Sequence, residues 1–352
     1  MNKKLFRISI ITKTPLAQIE TSTKTDIYIK KMPVYLTERG MFVDMPYYSA
    51  NGWRGLFHRV VAKKLISKAF EKGIKFSVAD IHLLTAGGGS NYSVQDYETE
   101  LKVKELNPVV SLFGASLAIK SKLAIGNFMP DKKFILEMKE FSPENKESYC
   151  IPRFIDRQMI ITKDDLKEND NLNFRLFLTK EDVEKWIKFV EENNKQRAKD
   201  RIENKNSEDK TKKGSIKFNI NKEFVAPGVQ FNSFIYCKED LTDIEYGLML
   251  LSIEDMVCQP LGSSSSIGYG LVDYSIYDED DNNIIVAVRK DECLVDININ
   301  TNYTEKQNYA INKAKEWLND IKQENILLSK ILINNAQKRE EEKNKIKQQK
   351  AA

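Results

Sequence analysis

Two histidines, four scattered cysteines and, among 51 acids, the lone Asp26 and Asp44 are the candidates that this 352-residue sequence offers for making or breaking bonds. The histidines are His58 and His82. Cys150, Cys237, Cys258 and Cys293 lie far apart with no CxxC pair. A structural zinc site needs closely spaced Cys and His ligands, so these cysteines read as reduced, partly buried small hydrophobes. Serine-nucleophile chemistry would have to use one of the two histidines, and no GxSxG elbow accompanies them. His58 lies one turn after Arg54 and could act as a general base; Asp26 or Asp44 could serve metal-assisted hydrolysis. Each has a plainer reading, as a packed helix histidine and as turn aspartates. GxGxxG and GxxxxGK[ST] are both absent, so a nucleotide cofactor has no phosphate loop. The expectation is a chain with no catalytic residue, no metal and no cofactor.

The more telling chemistry is in the backbone. "QPLGSSSSIGYGLVDYSIY" (Gln259 to Tyr277) holds Gly262, Ser263, Ser264, Ser265, Ser266, Gly268 and Tyr269 in an uncharged bend, in a chain that is 30% charged. Glycine lets the backbone approach a ligand closely, and serine adds small donors. Successive N–H groups can form an anion-binding concavity. A polyanion such as RNA would be held there by its phosphates and read without regard to base. The alternative is a flexible turn. In "SANGWRGLFHR", Ser49, Asn51 and Gly52 open a helix whose N-terminal N–H groups and dipole favour an anion, and Arg54 could add a bidentate phosphate contact. His58 joins this candidate surface. The alternative is a capped amphipathic helix with a solvent-facing Arg. "IYIKKMPV" presents Lys30 and Lys31, which would also suit a protected edge strand. "HLLTAGGGS" could equally be a linker.

The elements that would position these residues follow from periodicity. Leu5 to Thr12 reads as a strand, "AQIETSTKTD" as a polar stretch, and "IYIKKMPVYL" as strand. A helix runs from Gly52 to about Phe70 with Ser49 or Asn51 as N-cap; it carries Arg54, Arg59, Lys63, Lys64 and Lys68 and no acid. His82 to Ser93 is a glycine-rich break, and "NPVVSLFG" a short turn or helix before a strand. Lys180 to about Glu203 has helical spacing, and "NKNSEDKTKKG" lacks an apolar face and is expected to be mobile. Leu241 to Val257 is an apolar helix leading into the Gly/Ser bend. Ile284 to Val288 and Leu294 to Ile299 are short strands, and the chain is helical from Thr304 before a charged tail.

This order fits an α+β fold: a β-α-β-β-α-β ferredoxin-like, RRM-type core with helical and β-hairpin insertions. The core would comprise residues 1–74, 109–149 and 223–300. Insertions would span 75–108 and 150–222, and C-terminal helices with the tail 301–352. The net charge is only +4, so an anion surface must come from local clustering. No apolar run reaches the ~18–20 residues needed to span a bilayer, and the N-terminus reads as a first strand; the expected location is cytoplasmic, with no membrane partner.

Taken in order, "ITKTPLAQIETS", "KKMPV", "PYYSANGWRGLF", "SLFGASLAIKSKLAIGN", "KEFVAPGVQFNSFIY" and "IEYGLMLLSIEDMVCQPLGSSSSIGYGLVDY" resemble the RAMP superfamily of CRISPR-associated proteins. The resemblance covers about half of the chain, in pieces. Within the superfamily the chain looks like the backbone subunit that polymerises along a guide RNA (crRNA). "TDIYIKKMPV" and "HLLTAGGG" favour the type IV branch, with type III second. The resemblance implies a palm of ferredoxin-like sheet that holds guide phosphates. It also implies a thumb, here between about Cys150 and Lys222, that wedges between bases; Phe154 or Met159 would suit the wedge. The implied partners are the guide RNA, further copies of the chain head-to-tail, other effector-complex subunits and a target strand. In the type III branch a catalytic aspartate precedes an "NPV"-like segment. The matching neighbourhood here, before Pro33 and Val34, holds Lys30, Lys31 and Met32. A RAMP-type endoribonuclease is the alternative.

Overall fold

The computed structural model describes residues 5–23, 26–38, 40–89, 92–116, 118–132, 135, 149–150, 154–162 and 218–333, with six isolated positions from 179 to 192. In chain order the strands are β1 (Leu5–Thr12), β2 (Ile19–Thr23), β3 (Asp26–Ile29), β4 (Lys31–Leu36), β5 (Met41–Pro46), β6 (Leu123–Ile125), β7 (Met129–Pro130), β8 (Tyr149–Cys150), β9 (Ile155–Thr162), β10 (Phe218–Val225), β11 (Gln230–Cys237), β12 (Val272–Tyr277), β13 (Asn283–Lys290) and β14 (Cys293–Thr301). The described helices are α1 (Ala50–Glu71), α2 (Val78–Ala86), α3 (Tyr97–Leu106), α4 (Pro108–Phe113), α5 (Asp243–Val257) and α6 (Glu305–Asn319).

Strict alternation makes β1 the centre of the main sheet. Phe6, Ile8, Ile10 and Thr12 are buried, and the residues between them face the other side. The sheet runs β14-β13-β12-β1-β11-β6, with β7 also paired to β11, and all of its pairings are antiparallel. β4 and β5 form a hairpin with β8 alongside, and β2-β3-β10-β9 form a third sheet. The result is a mixed α+β fold with largely antiparallel sheets.

The helices supply the other half of the core. α1 buries Trp53, Phe57, Val61 and Leu65 and packs against α2, α4 and α5. Fully burying each such side chain stabilises the fold by about 1.5–3 kcal/mol. The ring of Tyr246 on α5 lies 6.1 Å from that of Phe6 on β1. Gly247 lets α5 touch the α6 backbone, since a Cβ there would come within 1.9 Å of the Ala310 carbonyl oxygen. Capping boxes fix the starts of both helices: Thr242 with Glu245, and Thr304 with Gln307.

Several expectations shift. α1 is capped by Ser49, not Asn51, and it extends to Glu71, an acid that pairs with Lys68. The expected break from His82 begins inside α2, which runs to Ala86 and stops where Gly87 turns to φ +68°. α3 fills much of the 75–108 insertion. Its apolar positions are few and only Val103 is buried, which hid it from periodicity. β2 is exposed at all five positions, so its pairing with a neighbouring strand defines it. The helix expected over 180–203, the "NKNSEDKTKKG" segment and the charged tail lie outside the described residues, apart from isolated positions.

The chain divides into two compact units. One comprises Met1–Glu20, Tyr28–Asp156 and Glu223–Ala352; the other comprises Thr21–Ile27 and Arg157–Lys222. In the second, Asn221 and Lys222 pair in parallel with Asp26 and Ile27. Every residue of the candidate phosphate surface lies in the first.

Candidate nucleic-acid interface

The short segment Pro15–Gln18, which follows β1, joins the candidate residues. The Pro15 carbonyl accepts from the Gly270 N–H at 2.8 Å. The Ala17 carbonyl accepts from Ser263 twice, from its N–H at 2.7 Å and from its Oγ at 3.1 Å. The Gln18 carbonyl accepts from the Lys30 N–H at 2.9 Å. The Gln18 side chain clamps Ser49: its Nε2 donates to Oγ at 2.8 Å, and its Oε1 accepts from the Ser49 N–H at 2.5 Å. Tyr48, the residue before the N-cap, accepts from the Gly262 N–H at 3.2 Å. The Gly/Ser bend, the start of α1 and the Lys30 backbone are therefore bound to one strip of chain.

Gly262 must be glycine. Its φ is +83°, and a Cβ would sit 2.3 Å from the Ala17 carbonyl oxygen. Beyond it, Ser264 takes φ +68° and Ser265–Ile267 form a single 3-10 turn closed by Gly268 at φ +83°. Ser265, Ser266, Ile267 and Gly268 are exposed. The N–H groups of Ser265 and Ser266 make no hydrogen bond among the described residues. This is an outward-facing backbone concavity with uncharged donors. Tyr269 departs from expectation: it is 6% exposed, its ring packs edge-on to Phe224, and burial raises its phenol pKa. It props the loop from below instead of offering a stacking face.

The start of α1 is less open than the sequence suggests. The Ala50 N–H donates to Asn127 Oδ1 at 2.7 Å and the Gly52 N–H to Ser49 Oγ at 3.2 Å. The exposed Asn51 keeps an N–H with no partner among the described residues. Arg54 leaves this neighbourhood. Its guanidinium donates to the Phe113 carbonyl, and desolvation lowers its pKa. On a different side of α1 the Arg59 charge favours the ionised form of the Tyr48 hydroxyl that holds Gly262. Arg59, Lys63, Lys64 and Lys68 line a groove of about 540 Å³ with Asp255, Cys258 and Gln259, the residues leading into the bend. Lys64 pairs with Asp255 at 2.9 Å and Lys68 with Glu71, which leaves Arg59 and Lys63 exposed and without an acid partner among the described residues. The sequence showed these cations as an acid-free helix face; it did not show which of them adjoin the loop.

Lys31 is also spoken for. Its Nζ lies 2.9 Å from Glu223 Oε2, a carboxylate almost wholly buried, which accepts at 3.4 Å from the Ile29 N–H as well. Lys30 has no acidic partner among the described residues. His58 is 8% exposed and stacked flat on Phe113 at 4.7 Å. Burial, with the nearby Arg54 charge, pulls its pKa down to about 4, so it is a neutral packed imidazole rather than a surface contact or a general base with access to substrate. Phe154, one wedge candidate, is buried; Met159, the other, is exposed; most of the expected thumb lies outside the described residues. Asp26 accepts at 2.9 Å from the amide of Asn221. Among the described residues no cluster of three His, Cys, Asp or Glu side chains could hold a metal ion, and no helix is long and apolar enough to cross a membrane.

With this geometry in view, the fold was compared with known proteins. No family model matches the sequence, and no curated protein matches it. Among solved structures, a chain of a Type IV-B CRISPR complex aligns over 77% of this chain and 90% of its own, at 12% identity and a TM-score of 0.46. The chain resembles components of CRISPR complexes. A chain from the Type III-B Cmr-beta structure bound to cognate target RNA aligns over 78% of this chain and 60% of its own, at 13% identity and a TM-score of 0.35.

Proposed function

We propose that this chain is a non-catalytic, RNA-binding backbone subunit of a CRISPR effector ribonucleoprotein, packing head-to-tail with further copies along a guide RNA and presenting its bases to a target strand. One observation carries the reading. Gly262 and Ser263 are bound to Tyr48 and Ala17, next to the Gln18 clamp on Ser49, so an exposed N–H concavity and a basic helix face adjoin. Such a surface grips phosphate and carries no base information. Its contacts are Ser263, Ser264, Ser265, Ser266 and Gly268 in the bend, Asn51 at the helix start, Lys30, and the Arg59–Lys63 face. The palm is the sheet β12-β1-β11-β6 with α1 and α5 as its crossovers: taken as the fourth, first, third and second core strands, these give the strand order of a ferredoxin-like fold.

The test is RNA retention as a function of salt. Each phosphate contact contributes a log–log slope of about −0.7 on a single strand, so a site with several contacts binds at low salt and releases steeply, with unrelated sequences binding alike. Absence of retention at low salt overturns the reading. Cleavage of RNA by the purified chain in magnesium, abolished by Asp26→Ala or Asp44→Ala, would instead make it an endoribonuclease.

A further inference from the structure

Arg54 turns away from the Gly/Ser bend, and what it turns toward has the makings of a second site. It enters a cavity of about 240 Å³ lined by Arg54, His58, Lys120 and Lys238 and by the turns at Gly87 and Gly114. No carboxylate lines this cavity. Two acids stand close to its lining: Glu100 accepts from the Lys120 N–H at 3.3 Å and pairs with Lys104 at 2.9 Å, and Glu239 lies 3.4 Å from Lys104. Gly87 and Gly114, both at positive φ, leave bare backbone on that wall, and Ser116, also at positive φ, adds a small hydroxyl. Phe113 takes one of the five guanidinium N–H donors of Arg54. The His58 ring hydrogen-bonds the Leu84 backbone, and its Nε2 is buried without any partner. A buried polar atom left unpaired costs about 1–3 kcal/mol, so it calls for an explanation.

We propose that this cavity is an anion site that takes one phosphate group, distinct from the bend that grips the RNA backbone. A planar guanidinium fork and two lysines match the charge and the several oxygens of a phosphate monoester or of inorganic phosphate. The volume admits a phosphate with its first waters. Two sources share this chemistry: the phosphorylated end of a nucleic-acid strand, and free phosphate. The inference does not rest on the guide-RNA reading, because its residues lie on another flank of α1 from the bend.

Titration calorimetry of the full chain with inorganic phosphate tests it, with chloride at equal ionic strength as reference. Lys120 and Lys238 are exposed, so the double variant Lys120→Gln/Lys238→Gln keeps the fold. Saturable phosphate binding that weakens by ~10-fold or more in this variant is expected from losing two charge-assisted contacts. Displacement of phosphate by a 5′-phosphorylated oligonucleotide, but not by its 5′-hydroxyl twin, identifies a strand end as the occupant; displacement by neither identifies free phosphate. Absence of saturable binding, or equal binding by the double variant, overturns the site. RNA retention measured in parallel on an Arg59→Gln variant keeps failure here separate from failure of the backbone-binding reading.

Discussion

The two flanks of α1 would meet an anion, on the proposed readings, in different ways. On one flank the donors are main-chain N–H groups of an uncharged bend, held by hydrogen bonds to Ala17 and Tyr48, with Arg59 and Lys63 as free charges alongside. On the other, side chains line a half-open cavity whose wall includes an arginine already anchored to a carbonyl. A backbone surface suits a repeating polymer, because it makes no demand on what lies beyond the phosphate. A cationic recess suits a single terminal group. On these proposals the same helix would carry a surface that tracks a strand and a recess that recognises one phosphate.

The sharpest break in this comparison is Gly262→Val. A branched side chain at φ +83° would collide with the Ala17 carbonyl, and the strained backbone alone costs of order 1–3 kcal/mol. Filter binding should show RNA retention abolished while phosphate binding in the Arg54 cavity persists. Retention at the wild-type level would remove the bend from the interface.

Next is Lys31→Met, which strands the buried Glu223 carboxylate. A loss of up to about 3 kcal/mol in urea unfolding is expected, discounted from a fully buried pair because Lys31 is partly exposed. The double variant Lys31→Met/Glu223→Gln should recover most of it. If the folded double variant has lost RNA affinity, Lys31 belongs to the interface after all.

His58 gives a pH signature of the closed flank. Its pKa of about 4 in the folded chain lies below its ordinary 6.5, so the unfolded chain binds more protons between these values. Its contribution is complete above pH 6.5 and is lost as pH falls through 4, a total of about 3 kcal/mol. His58→Phe should flatten that part of the stability–pH curve. An unchanged curve would mean that the imidazole is hydrated.

The smallest effect distinguishes the flanks most directly. Arg59→Gln and Lys63→Gln should each lower the magnitude of the RNA salt slope by about 0.7, uniformly across sequences, and Lys238→Gln should leave it unchanged. The reverse pattern would move the RNA track to the Arg54 side.

Much of the frame was legible before any coordinates. β1 matched residue for residue because two-residue alternation over "LFRISIIT" admits one register. α5 was legible from its apolar run and α6 from its amphipathic pattern, and each starts at a threonine cap. α2 and α3 escaped notice because they bury few residues each. Of the candidate site, the loop composition pointed to the right segment. The roles of individual residues did not follow: Tyr269 is a prop, Lys31 a counter-ion, His58 a stacked core imidazole, and Gln18, never singled out, is the clamp.

What the sequence by itself determined is local: which segments alternate, which recur at helical spacing, and where glycine permits a bend that other residues resist. Those are properties of a few neighbouring residues and their backbone dihedrals. Only the tertiary structure decided which side of α1 each cation serves. Arg54 and Arg59 are both basic and five residues apart, a spacing that places them on different flanks of a helix at 3.6 residues per turn. The stretches they meet, Phe113 for Arg54 and Asp255 to Gln259 for Arg59, are remote in sequence and brought close by folding.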